Sequence, residues 1–343
     1  MTPVRTGLIG YGAAGATFHA PLIAVEPGLR LARIASSRRD DIARAFPDVT
    51  IDASPEALIG NAEVDLVVIA TPNETHFPLA LAALRGGKHV VIDKPFAVTV
   101  AEAEVLVAEA EKNALKLSVF QNRRWDGDFL TVADLIHRDV LGDINYFESH
   151  FDRFRPAIKQ GWREEAKPGS GVLVDLGAHL IDQALQLFGL PEAVIGDIAI
   201  QRAEAQVDDY FHVVLVYGRR RVVLHASTLA SAPGPRFTVH GSLGSLMVTG
   251  LDGQEAALKA GKTPSGNDWG SSTYTSTATL TSADAIEIID VAAGNYPCFY
   301  RGMAAAIAGI GDVPVAPRQA LDAMRIIELA QRSAGEGRTI ALP

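Results

Sequence analysis

A run rich in apolar and β-branched residues, Val4–Ile9, stops at Gly10-Tyr11-Gly12-Ala13-Ala14-Gly15, and a helical pattern follows. Few short features constrain a fold more. In a strand–turn–helix unit Gly10 permits the tight turn, Gly12 lets the backbone approach a pyrophosphate, and Gly15 lets the helix pack on the strand. The free N–H groups and positive dipole end of that helix complete a cradle for phosphates. A hexapeptide of this kind is weak in isolation, because glycine turns are common. Its position at the start of a strand–helix–strand unit favours dinucleotide binding by Gly10, Tyr11, Gly12, Ala13, Ala14 and Gly15.

The rhythm of the first third agrees. Strands are expected at Arg30–Ala35, Val49–Ile51, Val64–Ala70, Lys88–Ile92 and Lys116–Phe120, and helices at Ala16–Val25, Asp40–Phe46, Glu74–Arg85 and Ala101–Asn113. Near-continuous apolar strands joined by helices predict a parallel sheet covered on both faces. After Asn122 the pattern changes. Phe129–Asp139 and Gly171–Phe188 read as helices, and Ile144–Phe154 as a strand with alternating polarity. Strands then follow at Val194–Gln201, Tyr210–Tyr217, Arg221–Thr228, Arg236–Gly241 and Ser245–Thr249. Leu251–Ser276 reads as an ordered loop, and Cys298–Ile310 and Arg318–Ser333 as closing helices. The 343 residues suit two domains. The expected fold is α/β: a doubly wound Rossmann domain over 1–122, then an α+β domain with a large open, mostly antiparallel sheet over 123–343.

The net charge of −9 disfavours nucleic acid and anionic membranes as partners. Cys298 is the one cysteine, which leaves no intrachain disulfide and no Cys-rich metal site. No apolar stretch is long enough to suggest a membrane span, and the N-terminus carries no basic or apolar leader, so the cytosol is the expected location.

The end of the second strand reports on the cofactor's ribose. An NAD site places Asp or Glu there to accept from the 2′-hydroxyl. This chain has Ser36-Ser37-Arg38-Arg39 instead. Serine hydroxyls and the Arg38 fork suit a 2′-phosphate, so NADP is expected over NAD. Asp40 and Asp41 read as first-turn helix acids. Thr71-Pro72-Asn73 follows a buried strand, with His76 three residues on, and loops at the carboxyl ends of parallel strands line the ligand crevice. Asn73 and His76 are therefore candidates to face the nicotinamide ribose. Asn73 as a simple cap of the following helix is the equal alternative.

Lys94, in Asp93-Lys94-Pro95, lies directly after the strand Val90-Val91-Ile92, a position suited to reaching a substrate oxygen. Desolvation disfavours its ammonium form and Asp93 favours it, so the balance stays open. In Asp175-Leu176-Gly177-Ala178-His179 an α-helical i,i+4 spacing puts carboxylate and imidazole on one face. Asp175 then favours the protonated imidazole, as a proton acceptor from a hydroxyl requires. Gly177 leaves room for a ligand against the backbone. A helix-face pair without catalytic use is the alternative. Asp182 adds a carboxylate, but with no further ligand cluster no metal is expected.

These residues carry a resemblance. The chain resembles the glucose–fructose oxidoreductase, inositol dehydrogenase and MocA family from end to end. The matching motifs are Gly10–Gly15, Thr71-Pro72-Asn73-x-x-His76, Lys94-Pro95 and Asp175-x-Gly177-x-His179-x-x-Asp182. Phe18-His19-Ala20-Pro21-Leu22, Asn122-Arg123-Arg124-Trp125-Asp126, Gly161-Trp162-Arg163, Asp252-Gly253-Gln254-Glu255 and Asp268-Trp269-Gly270 look like its NADP-dependent scyllo-inositol dehydrogenase branch. The resemblance implies a nicotinamide-dependent oxidoreductase acting on a polyol or sugar, with Lys94, Asp175 and His179 in the catalytic places. It also implies a homodimer or homotetramer formed through the second domain's sheet, and Trp162 and Arg163 over the cofactor. The family usually has Glu before Lys-Pro, where this chain has the shorter Asp93. Arg123 and Arg124, just after the last parallel strand, are candidates for substrate hydroxyls or a cofactor phosphate, with solvated surface arginines as the alternative. A catalytically silent NADP-binding regulator of the same fold is the competing function.

Overall fold

A computed structural model describes residues 2–158, 161, 164–266, 268–271 and 276–342. Contacts divide the chain into two units. The first comprises Met1–Asn122, Gln254–Trp269 and Asn295–Leu321, the second Arg123–Gly253, Gly270–Gly294 and Asp322–Pro343.

The first unit is built on β1 (Val4–Ile9), α1 (Ala20–Val25), β2 (Leu29–Ala35), α2 (Arg39–Ala45), β3 (Thr50–Asp52), α3 (Pro55–Ile59), β4 (Leu66–Ile69), α4 (His76–Arg85), β5 (His89–Ile92), α5 (Val100–Lys112) and β6 (Leu117–Val119). Its six strands are parallel in the order β3-β2-β1-β4-β5-β6. All four residues of β4 are fully buried, because a central strand of a doubly wound sheet has both faces covered. The strand order reverses at β1 and β4, so their carboxyl ends flank the switch point where such sheets bind ligands. The helix expected at Ala16–Val25 is divided: a π-helical turn, Gly15–His19, precedes α1. α3 was not legible as a helix; Ser54 starts it by accepting a bond from the Ala57 N–H.

The chain continues through α6 (Gly127–His137), β7 (Ile144–His150), a π-helical turn Leu173–Gly177, α7 (Ala178–Phe188), β8 (Ala193–Ala199), β9 (Tyr210–Tyr217), β10 (Arg220–Ser227), β11 (Phe237–Gly241) and β12 (Gly244–Gly250). Next come α8 (Gln254–Lys259), β13 (Ser276–Ser282), β14 (Ile286–Ile289), α9 (Pro297–Ile307), α10 (Pro317–Glu336) and β15 (Ile340–Ala341). The second unit's nine-stranded sheet runs β14-β13-β12-β11-β7-β10-β9-β8-β15, antiparallel except where β7 meets β10. One face is core. Phe211, Val213 and Leu215 alternate inward along β9, joining Phe147, Phe237, Leu180 and Ile181. α8 corrects the expectation of a loop over Leu251–Ser276. β13 and β14 were also missed. Their threonine-rich and largely exposed sequences, with Ile286 and Ile288 outward, carry little burial signal; pairing of β13 with β12, and of β14 with β13, makes them strands. Among the described residues no helix is long and apolar enough to cross a membrane.

Candidate functional site

The glycine loop has the geometry its sequence asks for. Gly10 sits at φ +94°, and a side chain there would strike the Ala70 carbonyl oxygen, 2.4 Å from the added carbon. A side chain at Gly15 would meet the Gly10 carbonyl at 2.1 Å. At Gly12 an added carbon meets nothing within 4 Å, so the loop is open on the side where phosphates approach. Ala13 is exposed beside Gly12, while Tyr11 turns inward and packs edge-on against Phe46. Arg38 borders this loop, its Nη1 donating to the Tyr11 carbonyl at 3.4 Å and its Nε to Asp41 at 2.8 Å. Ser36 Oγ accepts from the Arg38 N–H, and Ser37 is exposed. Asp41 is thus more than a first-turn acid, since it holds the guanidinium beside the loop. The open Gly12 side and the cation at its border fit a phosphate-bearing dinucleotide.

At the end of β4, Thr71 and Thr75 share a hydrogen bond of 2.6 Å. Asn73 is buried as the first residue inside a short turn, Asn73–Thr75, whose cap position is Pro72; it does not cap α4. His76 is buried with Nδ1 2.8 Å from the Pro95 carbonyl and Nε2 2.9 Å from the Thr71 carbonyl. Both ring nitrogens therefore lace together the loops after β4 and β5. Burial draws His76 below the ordinary imidazole range, against the opposing pull of Asp93 and the two carbonyls.

Asp93 accepts the Lys94 N–H at 2.9 Å, and the Lys94–Pro95 peptide is cis. Behind it, fully buried His19 places Nε2 3.7 Å from Asp93 Oδ1 and Nδ1 2.6 Å from the Tyr300 hydroxyl. Phe120 lies against the His19 ring at 4.4 Å. Burial pushes the Asp93 carboxyl up, but His19, Lys94 and His76 together hold it below the usual carboxylate range. Asp93 thus keeps its charge beside Lys94. The first unit gathers Gly10–Gly15, Arg38, Thr71–His76 and Asp93–Lys94 at the carboxyl ends of neighbouring parallel strands.

In the second unit His179 lies one residue inside α7, a helix buried from Ala178 to Ala184. Asp175 stands in the π-helical turn before it, half-buried, so the pair does not have plain α-helical spacing. Asp175 lines a cavity of about 70 Å³ with Arg153, Arg155, Glu164 and Asp208. The room at Gly177 is not for a ligand: an added carbon meets Leu173 at 2.8 Å and Phe211 at 3.4 Å, both core side chains. Asp182 is taken by Arg124 in a buried fork, with bonds of 2.8 and 2.7 Å. Arg123 reaches Asp126 at 3.2 Å and lies over the Phe151 ring. Neither arginine is a solvated surface group. Trp162 and Arg163 lie outside the described residues.

Sequence reading missed the partners that fix these groups. His19 and Tyr300 are far apart in the chain, as are Arg124 and Asp182, and no local pattern links them. Gln254 explains one quoted motif, since its side-chain oxygen accepts from Trp269 Nε1 at 2.9 Å and from the Tyr296 N–H at 2.7 Å. Also unforeseen is a cluster of His150, Asp152 and His225 on the second unit's sheet. His150-x-Asp152 on a strand was its legible half.

The oxidoreductase-family NAD-binding Rossmann-fold domain matches residues 4–121, and the same family's C-terminal alpha/beta domain matches residues 133–342. The chain belongs to the Gfo/Idh/MocA oxidoreductase family. An uncharacterised oxidoreductase of Escherichia coli is 48% identical over 99% of both chains. A scyllo-inositol 2-dehydrogenase (NADP(+)) of Bacillus subtilis is 38% identical, covering 99% of this chain and 96% of its own. A crystal structure from Klebsiella pneumoniae matches with a TM-score of 0.93 at 45% identity, covering 100% of this chain and 96% of that one. As a Gfo/Idh/MocA protein the chain is a dehydrogenase acting on CH–OH groups, with a Rossmann NAD(P)-binding domain.

Proposed function

We propose that this dehydrogenase moves a hydride between NADP(H) and a ring carbon of a polyol or sugar, with scyllo-inositol and its keto form as first candidates. The reading rests on Arg38: an arginine beside the glycine loop, at the strand end where an NAD site carries an acid, suits a 2′-phosphate. The Bacillus subtilis relative supports both the cofactor and the substrate class.

Gly10–Gly15, Ser36, Ser37, Arg38 and Thr71–Asn73 hold the cofactor, with His76 and Asp93 shaping the loops behind them. The bound nicotinamide supplies the hydride acceptor in oxidation. Hydride leaves a carbinol carbon only as the hydroxyl proton is removed, so the reacting oxygen gains alkoxide character. His179 accepts that proton, because an imidazole's ordinary pKa near 6.5 lies close to neutral pH. Asp175 stabilises the imidazolium, and Lys94 stabilises charge on the same oxygen. Arg123 and Arg124 shape the substrate side through their carboxylate partners. The open face of the nine-stranded sheet serves as the oligomer contact.

A panel of cyclic polyols, hexoses and their keto forms, followed by NADPH absorbance in both directions, tests the reading. Turnover of an inositol with NADP is expected. Higher kcat/KM with NAD overturns the cofactor assignment, and NADPH binding without any turnover assigns a sensor instead.

A further inference from the structure

The outer face of the second unit's sheet carries a row of side chains that the reaction above does not use. Strand pairing sets His225 of β10 beside His150 of β7 on one side and His212 of β9 on the other. Asp152, two residues past His150, brings its carboxylate between two of these rings. Its Oδ2 is 3.1 Å from His150 Nδ1 and its Oδ1 3.4 Å from His225 Nε2. One donor atom from each of the three residues lies within 4.8 Å of the others. Four-coordinate Zn²⁺, with bonds of about 2.0–2.2 Å, sets neighbouring donors roughly 3.3–3.5 Å apart. Contraction from at most 4.8 Å to that spacing closes the cluster on one small cation.

The surrounding contacts suit the same occupant. Glu148 Oε1 lies 2.7 Å from His150 Nε2, and Glu148 Oε2 accepts from the Tyr146 hydroxyl at 2.9 Å. A ring that donates through Nε2 to Glu148 presents the lone pair of Nδ1 towards Asp152. That is the carboxylate–histidine–metal arrangement, in which an outer carboxylate fixes the tautomer and the ring orientation. The Ser227 N–H donates to Asp152 Oδ1 at 3.0 Å, and Tyr210 packs edge-on against the His225 ring, so both groups are held in place. Two imidazoles with one carboxylate suit Zn²⁺ and its first-row neighbours. Mg²⁺ and Ca²⁺ prefer all-oxygen donor sets.

We propose that His150, Asp152 and His225 form a divalent transition-metal site on the outer face of the nine-stranded sheet, separate from hydride transfer. Three protein donors leave one coordination position, on the face assigned above to the oligomer contact.

The test titrates Zn²⁺ alone into the full, metal-stripped chain against a chromophoric chelator. One equivalent per chain is expected, with micromolar or tighter affinity. His225→Gln and Asp152→Asn should each abolish it, and Glu148→Gln should weaken it about 10–100-fold. His240→Gln, on the neighbouring strand β11, should leave it unchanged. Co²⁺ in place of Zn²⁺ should give a visible spectrum of nitrogen and oxygen ligation without a thiolate band. Far-UV circular dichroism shows whether each variant folds. Should the ligand variants fail to fold, the weakening in Glu148→Gln carries the test. Absence of binding in this range overturns the proposal and leaves a hydrogen-bonded network. So does binding that persists in folded His225→Gln or Asp152→Asn, or that falls only in His179→Ala.

Discussion

Tyr300 donates to or accepts from His19 across 2.6 Å, and the other nitrogen of that ring faces Asp93, the residue before Lys94. A helix from the last fifth of the chain thereby reaches the backbone that presents the lysine. Both rings are fully buried. Tyr300→Phe leaves the His19 nitrogen without its partner, so urea unfolding should show a loss of about 1–3 kcal/mol. A wild-type midpoint would mean the bond adds nothing to stability.

Asp93 gives stability a pH dependence of definite sign. Its folded pKa lies below the unfolded value of 3.8, so its contribution is complete above that value and is lost as pH falls through the folded one. The difference in unfolding free energy between wild type and Asp93→Asn should therefore shrink below roughly pH 4. A difference that is level through the acid range contradicts the ionised, partnered carboxylate.

Arg38→Ala should lower kcat/KM for NADP about ten- to hundredfold, the worth of one charge-assisted contact, and spare NAD. Equal losses with both cofactors would show that Arg38 serves the loop through Tyr11 and not the ribose phosphate.

His179→Ala should reduce kcat about 10²–10⁴-fold, as removal of a positioned acid/base does, with the Kd of NADPH nearly unchanged. Fluorescence titration paired with steady-state rates decides it. Near-normal kcat in the folded variant would move the proton acceptor elsewhere, with Lys94 next in line.

Arg124 and Asp182 form a buried fork with side chains 9% and 2% exposed. Removing one partner leaves a buried charge and should cost about 3–5 kcal/mol, whereas the Arg124→Met, Asp182→Leu pair should cost less than either single change. Denaturant melts of the four proteins give the comparison. A single variant that raises only KM for the polyol would instead make Arg124 a direct substrate contact.

The sequence determined what depends on neighbours in the chain. The glycine spacing at Gly10–Gly15 dictated a strand–turn–helix, because only glycine tolerates the φ of Gly10 and the carbonyl contacts at Gly10 and Gly15. The apolar run over β4 dictated a strand buried on both faces, and the alternation along β9 a sheet with one core face. Strands with little burial, such as β13 and β14, stayed hidden, because they are held by pairing, β13 with β12 and β14 with β13. Helix α8 was obscured by its glycine- and serine-rich surroundings. Only tertiary structure decided that Asp175 stands in a π-helical turn, that Gly177 is filled by Leu173 and Phe211, and that Arg124 belongs to Asp182. Only it set His225 beside His150 and Tyr300 against His19. A sequence displays periodicity and local turn chemistry, whereas the partner of a buried charge or imidazole is chosen by the packing of segments distant in the chain.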